Sequence, residues 1–392
     1  MKKSIIAIIL YLLVVNVFFP AIFYLFNGFS PVYSDLVDLP ALIKSFILIV
    51  SSFALSIFVL YLWPSKNEEI SPNINGRPVS ELFYFSIFLK LFVFYYYGGF
   101  SALIAGGTNG TVGNYISLFF NPFILLLILL FAQKNRSSII MAVFFYILSV
   151  TLSGSRSGIL TIIFVFLIGF SFVTFQGYKK RLYGFLKYSL LITPLIFVYA
   201  TSLRGYTQNI NMSVILNQII GRMSVLETSM LPVHYFDNGM NLDLFYNKFS
   251  IWNQFKLSLD SIIPGQIFDF DVMPNNYYRA IFMGYSQSFV MENYMSVNLT
   301  LPIYLYLKYS YFAVIFTVIY IVGTYKIIVF FKKYPIIVLL ILSVFYNLIY
   351  FFDWVMVFTQ LYKSILTIAF LKMYIFSRKI FIESVRKNEY AN

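Results

Sequence analysis

The sequence predicts an all-α polytopic membrane protein, and three observations predict it. First, 60% of the 392 residues are hydrophobic and only 11% are charged. A soluble domain carries roughly 25% charged residues, so this chain could not cover a water-facing surface of its size. Second, the apolar residues come in runs of the ~20 residues that a membrane-crossing helix needs. Outer-membrane strands would read as short alternating segments instead. Third, the Lys and Arg residues behind the net charge of +13 gather in alternating connections. A cytosolic enzyme, a nucleic-acid-binding protein and a secreted disulfide scaffold are thereby excluded. With no Cys, there is no disulfide framework, no thiolate metal site and no nucleophilic thiol.

About ten spans are expected, near residues 5–26, 41–63, 80–104, 115–132, 138–152, 159–176, 184–203, 301–323, 335–352 and 354–376. The first follows Lys2 and Lys3 like a signal peptide, but its apolar run is too long and lacks a small-residue cleavage site, so it is read as retained. Pro122, Pro302 and Pro335 open their spans, where a missing N–H costs nothing. Pro194 lies inside the seventh span and is expected to kink it.

Orientation follows from the connections. Lys2, Lys3, Lys66, Arg77, Lys134, Arg136, Lys179, Lys180, Arg181, Lys332, Lys333, Arg378, Lys379, Arg386 and Lys387 fall in one alternating set. The opposite short loops, 27–40 and 105–114, hold none, and only Arg156 interrupts that side. Both termini are therefore placed in the cytoplasm. The chain divides into a membrane bundle of about seven spans (1–203), a large extracytoplasmic loop (204–300), and about three spans with a basic cytoplasmic tail (301–392).

The long loop carries Arg204, Arg222, Lys248, Lys256 and Arg279 against Glu227, Asp237, Asp243, Asp260, Asp269, Asp271 and Glu292. Met212, Ile215, Leu216, Ile219, Ile220, Met223, Leu226 and Met230 recur at helical spacing. They predict an amphipathic helix on the outer membrane surface or packed over the bundle. Trp252, Phe255, Leu259, Ile262 and Ile263 predict a second, shorter one ending at Pro264-Gly265.

Ser153-Gly154-Ser155-Arg156-Ser157-Gly158 is the sharpest local pattern. It suits either a tight helix–helix turn with a snorkelling Arg or an Arg that reaches a phosphate with both arms of its fork. Arg156, Arg204, Arg222 and Arg279 are four outer-face arginines. They serve a pyrophosphate or acidic sugar, or else pair with the loop acids. His234, the single His, and Glu292 are candidate general bases, with Asp35 and Asp38 as rivals. The alternative for His234 is a packed loop residue beside Tyr235 and Phe236. Asp269-Phe270-Asp271 has the shape of an acid pair for a metal, but the spacing is common and no metal site is assigned. Lys90 and Lys363 sit mid-span, where a charge marks either a site or an internal ion pair, and Asp353 is placed to meet an outer basic group.

These features together resemble the O-antigen polymerase, or oligosaccharide repeat-unit polymerase, family (Wzy). The resemblance rests on the topology, the Ser153–Gly158 turn, the large late outer loop, and the Ser296-Val297-Asn298-Leu299-Thr300-Leu301-Pro302 approach to a span. It implies an inverting glycosyltransferase, with room for a GT-C-like architecture, at the outer face of a bacterial inner membrane. Such enzymes join undecaprenyl-pyrophosphate-linked oligosaccharides into O-antigen or capsule-type polymer without a cofactor or metal. A flippase and a chain-length regulator are the implied partners, and nucleic acid is not one. Arg156 and Arg204 match the family's outer-loop arginines by position, Arg222 and Arg279 less closely. Related O-antigen ligases rely on a His near their arginines; this chain's single His departs from them, and the resemblance leaves the base unassigned. A lipid-linked oligosaccharide flippase, an O-antigen-ligase-type transferase and a non-catalytic scaffold are the competing readings. Evenly short loops would favour the flippase, and the 204–300 segment speaks against it.

Overall fold

The computed structural model describes residues 1–27, 38–64, 70, 76–96, 98, 119–132, 136–152, 156–172, 179–180, 183, 220, 224–240, 242, 250–260, 267–268, 299–350, 352 and 354–389. Nearly all of them are helical, and the one extended pairing among them is an isolated bridge between Ile70 and Phe172. Four helical stretches are long and apolar enough to cross a membrane: Lys2–Phe26, Leu39–Leu62, Gly76–Tyr96 and Leu301–Phe330. Pro122–Ala132, Ser137–Val150 and Pro335–Tyr350 are shorter apolar helices. The expected spans at 5–26, 41–63, 80–104 and 301–323 thus fall on helices of crossing length, whereas 184–203, with Pro194, lies outside the described residues.

The chain forms two compact units. Unit 1 comprises Met1–Glu68, Ile210–Lys333 and Ile341–Gln360; unit 2 comprises Glu69–Asn209, Tyr334–Leu340 and Leu361–Asn392.

Unit 1 begins with α1 (Lys2–Tyr11), which runs through a π-helical stretch, Leu12–Phe18, into α2 (Phe19–Asn27). Pro20 accounts for the change of winding. It has no N–H for the Asn16 carbonyl four residues back, and its ring crowds that carbonyl. The carbonyl instead accepts the Val225 N–H at 3.1 Å. The sequence reading took this span as a plain apolar run and did not weigh Pro20.

Helix α3 (Leu39–Leu62) is capped by Asp38, whose side chain accepts the Ala41 N–H at 3.3 Å, with Pro40 in the first turn. Small residues recur along it at Ala41, Ser45, Ser52 and Ser56, all buried. The Ser45 and Ser56 hydroxyls donate back to the carbonyls four residues earlier, at 2.8 and 2.7 Å. Thr317 does the same to Ala313 at 2.8 Å. With their hydroxyls satisfied inside each helix, these residues let α3 lie close against α11 (Ala313–Phe330). The expected span at 301–323 is broken: α10 (Leu301–Tyr309) ends at Ser310, which has φ of 52°, and α11 resumes at Ala313.

Two ends of this unit differ chemically. At one, Lys2 Nζ donates to the Tyr61 and Trp63 carbonyls at 3.0 Å each, capping the C-terminus of α3. Lys326 stands over the Trp63 ring at 4.4 Å. At the other end lie Asp38 and the polar residues described below.

In unit 2, α4 (Gly76–Tyr96), α5 (Pro122–Ala132), α6 (Arg136–Leu152) and α7 (Arg156–Gly169) pack in sequence. Helix α5 is apolar on every side and buried on every side, the pattern of a core helix. Asn121 caps it by accepting from the Phe123 and Ile124 N–H groups at 3.0 and 3.4 Å, with Pro122 as the first helical residue. Within this unit, Glu81 accepts from Arg378 at 3.0 Å, Tyr374 at 2.9 Å and Arg77 at 3.3 Å. Lys90 and Lys363 make no ion pair among the described residues, so the internal pairing expected for them is not found there. Helices α12 (Pro335–Tyr350) and α13 (Trp354–Glu389) contribute to both units.

The 204–300 segment yields two described helices, α8 (Leu226–Asp237) and α9 (Ile251–Asp260), both in unit 1. Helix α8 shares Leu226 and Met230 with the expected amphipathic helix and packs against the bundle, one of the two placements expected for it; Met212, Ile215, Leu216, Ile219 and Met223 lie outside the described residues. The helix starts beside Asn16, halfway along the Lys2–Phe26 stretch, and packs along α3 and α10 toward Asp38. Leu226, Glu227, Ser229, Met230, Leu231 and Val233 are buried along its length.

Candidate functional site

The site forms where the C-terminal half of α8 meets the first turns of α3 and α10. Residues three apart on a helix share a face, so α8 presents His234 and Asp237 together. His234 Nδ1 is hydrogen-bonded to Asp38 Oδ2. An ionised carboxylate only accepts, so Nδ1 carries a proton. Asn238 Nδ2 lies 3.2 Å from Nε2 and also donates to the His234 carbonyl at 2.9 Å. Asp38 is held from two further sides: its N–H donates to Met230 Sδ at 3.3 Å, and its carboxylate caps α3. The His234 hydrogen bond, the Ala41 N–H and the charge of His234 hold the Asp38 carboxyl below the usual carboxylate range, against the opposing effect of burial.

A second polar group adjoins it. Lys44 Nζ donates to both oxygens of Asp237, at 2.8 and 2.7 Å. Tyr306 donates its hydroxyl to Asp237 Oδ1 at 2.7 Å. The Lys44 ammonium also stands over the Tyr306 and Tyr311 rings at 4.9 and 5.1 Å. Phe236 packs edge-on against Tyr306 at 5.2 Å. The Lys44, Asp38, Asp237 and His234 side chains are partly open to solvent, from 25% for Lys44 to 39% for His234, whereas Tyr306 is buried. This suits a site a substrate can enter, and it leaves enough shielding for the charges to act on one another.

Among the sequence-predicted bases, His234 and its rival Asp38 fall within the described residues, and the two are paired. The His234 ring also packs edge-on against Tyr235 at 5.3 Å, as the reading of a packed residue expects. Arg156 is the first residue of α7, in unit 2; nothing further is described of its side chain. Arg204, Arg222, Arg279, Glu292, Asp35, Asp269, Asp271, Asp353 and the turn residues 153–155 lie outside the described residues. Among the described residues no three His, Asp or Glu side chains converge on a metal position.

Sequence reasoning missed Lys44 and Tyr306 and counted Asp237 only as a loop acid. Two signals were available. Lys44 is a charge inside an apolar run, and such charges default to a site. Asp237 is three residues from His234, on one helix face. Tyr306 had no signal, since Tyr is abundant throughout the chain.

The described residues are therefore almost entirely helical, with helices of membrane-crossing length, a buried helix from the 204–300 segment and a His–carboxylate pair at one end of a helical unit. No family model, curated protein or solved structure matches the chain.

Proposed function

We propose that the protein is a glycosyltransferase that polymerises undecaprenyl-pyrophosphate-linked oligosaccharide repeat units at the outer face of a bacterial inner membrane. The observation that carries this reading is the His234–Asp38 pair, set at the end of unit 1 opposite Lys2 and Lys326. By the positive-inside rule the lysine end is cytoplasmic and the histidine end is external.

A lipid pyrophosphate is already an activated leaving group. The protein has to hold it, balance the charge that develops, and take a proton from the acceptor hydroxyl. His234 Nε2 accepts that proton once the hydroxyl displaces Asn238. The hydroxyl oxygen attacks the anomeric carbon, the carbon–oxygen bond to the pyrophosphate breaks, and the imidazolium formed is balanced by Asp38. Arg156, Arg204, Arg222 and Arg279 are assigned to the pyrophosphate. Glu292 is the competing base.

A deletion strain tests the reading: its glycan should be capped with at most one repeat unit. Long polymer persisting unchanged would overturn it, and the absence of any repeat unit at the outer face would favour a flippase. Arg156→Lys and Arg204→Lys keep the charge but lose the planar fork. At normal protein levels each should lose most polymer, roughly tenfold or more, as loss of a charge-assisted hydrogen bond of about 1.5–3 kcal/mol implies.

The competing reading is an O-antigen-ligase-type transferase with the same donor and a different acceptor. The same strain separates the two: a ligase defect leaves long polymer on its lipid carrier, a polymerase defect leaves single units.

A further inference from the structure

The other helix of the 204–300 segment, α9, leaves its first apolar residues outward. It is fixed to the bundle through Gln254, whose Oε1 accepts the Trp354 N–H at 2.8 Å, through buried Leu257 and Ser258, and through Phe255 edge-on to Phe358 at 5.2 Å. Trp252, its largest apolar side chain, is 63% exposed, and Ile251 is 49% exposed. Asp260 accepts the Ile267 and Phe268 N–H groups at 3.1 and 3.2 Å, and Ile267 is 55% exposed. Lys256 stands between the Trp252 and Phe268 rings, at 5.6 and 5.7 Å.

We propose that this face of α9 sits in the headgroup layer of the bilayer. Trp252, Ile251 and Ile267 enter the upper acyl chains and the Lys256 ammonium meets a lipid phosphate. Three features point to lipid. An indole and a cation side by side match an interface that is apolar below and anionic above. Helix α9 is pinned to Trp354, the first residue of α13, which places it at a helix end. Two aliphatic chains flank the indole, whereas a glycan-stacking tryptophan would need polar neighbours for the sugar hydroxyls. The proposal rests on membrane insertion and is independent of the transferase reading.

Because the chain has no Cys, Ile267→Cys gives a single labelling site that leaves Trp252 in place. The full-length variant, carrying an environment-sensitive fluorophore, is reconstituted into phosphatidylethanolamine–phosphatidylglycerol vesicles. Emission should shift to the blue, and a nitroxide near the head of the acyl chain should quench it more than one near the chain end. In the unlabelled protein, Trp252→Phe should remove the part of the tryptophan emission that the shallow nitroxide quenches. Lys256→Glu should weaken the shallow quenching most in phosphatidylglycerol-rich vesicles. Quenching of the label by aqueous iodide with none by either nitroxide would overturn the proposal. So would protection from iodide by a soluble oligosaccharide without nitroxide quenching, which would make the face a glycan platform.

Discussion

Helices α8 and α9 come from the same segment, and the bundle treats them in opposite ways. Helix α8 enters the bundle, buries most of its length including the carboxyl-bearing Glu227, and offers polar groups only at its last turn. Helix α9 stays at the edge, buries Gln254 and Ser258, and leaves Trp252 outside. In both cases backbone hydrogen bonding decides placement as much as hydrophobicity. The Asn16 carbonyl, released by Pro20, receives the Val225 N–H just before α8, and Gln254 receives the free first amide of α13. In an apolar medium an unpaired amide costs several kcal/mol, more than exposing one tryptophan to lipid.

The largest expected effect lies at the end of α8. Replacing His234 with Gln should lower polymerisation in reconstituted vesicles by about a hundredfold or more, the usual contribution of a general base. Asp38→Asn should lower it less and alter its pH profile, because Asp38 acts through the imidazole. Loss confined to His234→Gln, with an unchanged Asp38→Asn profile, would uncouple the pair from the chemistry.

Leu257→Ala on the bound face of α9 should cost about 2–4 kcal/mol in denaturant unfolding, as a buried leucine does. Breaking the bond between α8 and α3 with Asp237→Ala should cost about 1–3 kcal/mol, because Lys44 and Tyr306 both lose an acceptor. That figure lies between exposed and buried ion pairs, in keeping with the partial exposure of the site.

The Asp38 carboxyl adds an acid-range signature. Its pKa in the folded protein is lowered, so its contribution is complete above the ordinary carboxylate range near pH 4 and is lost as pH falls through the lower folded value. Thermal stability followed down from pH 5 should therefore fall more steeply for the native chain than for Asp38→Asn. The smallest effect is expected at Trp252. In detergent, Trp252→Ala should shift stability by no more than about 0.5 kcal/mol, as for an exposed side chain away from the core.

Composition and run length determined the helical, membrane-crossing character of the chain, because a bilayer accepts only backbones that satisfy themselves. Proline and asparagine positions set helix starts in the same way: Pro122, Pro302 and Pro335 each open a helix where the sequence placed them. His234 was also legible, as the single imidazole in a long connection. What surrounds it was not. Asp38 and His234 are separated by 196 positions, and Lys44 and Asp237 by 193. No periodicity links residues that far apart. Only the tertiary structure decided that the α8 segment turns into the bundle, because the acceptor that anchors it is a backbone carbonyl freed by a proline in another helix. The apolar pattern of α9 likewise marked a face without saying what it meets. The hydrophobic effect is indifferent to whether protein or lipid removes that face from water, and the choice fell to one glutamine and one free amide.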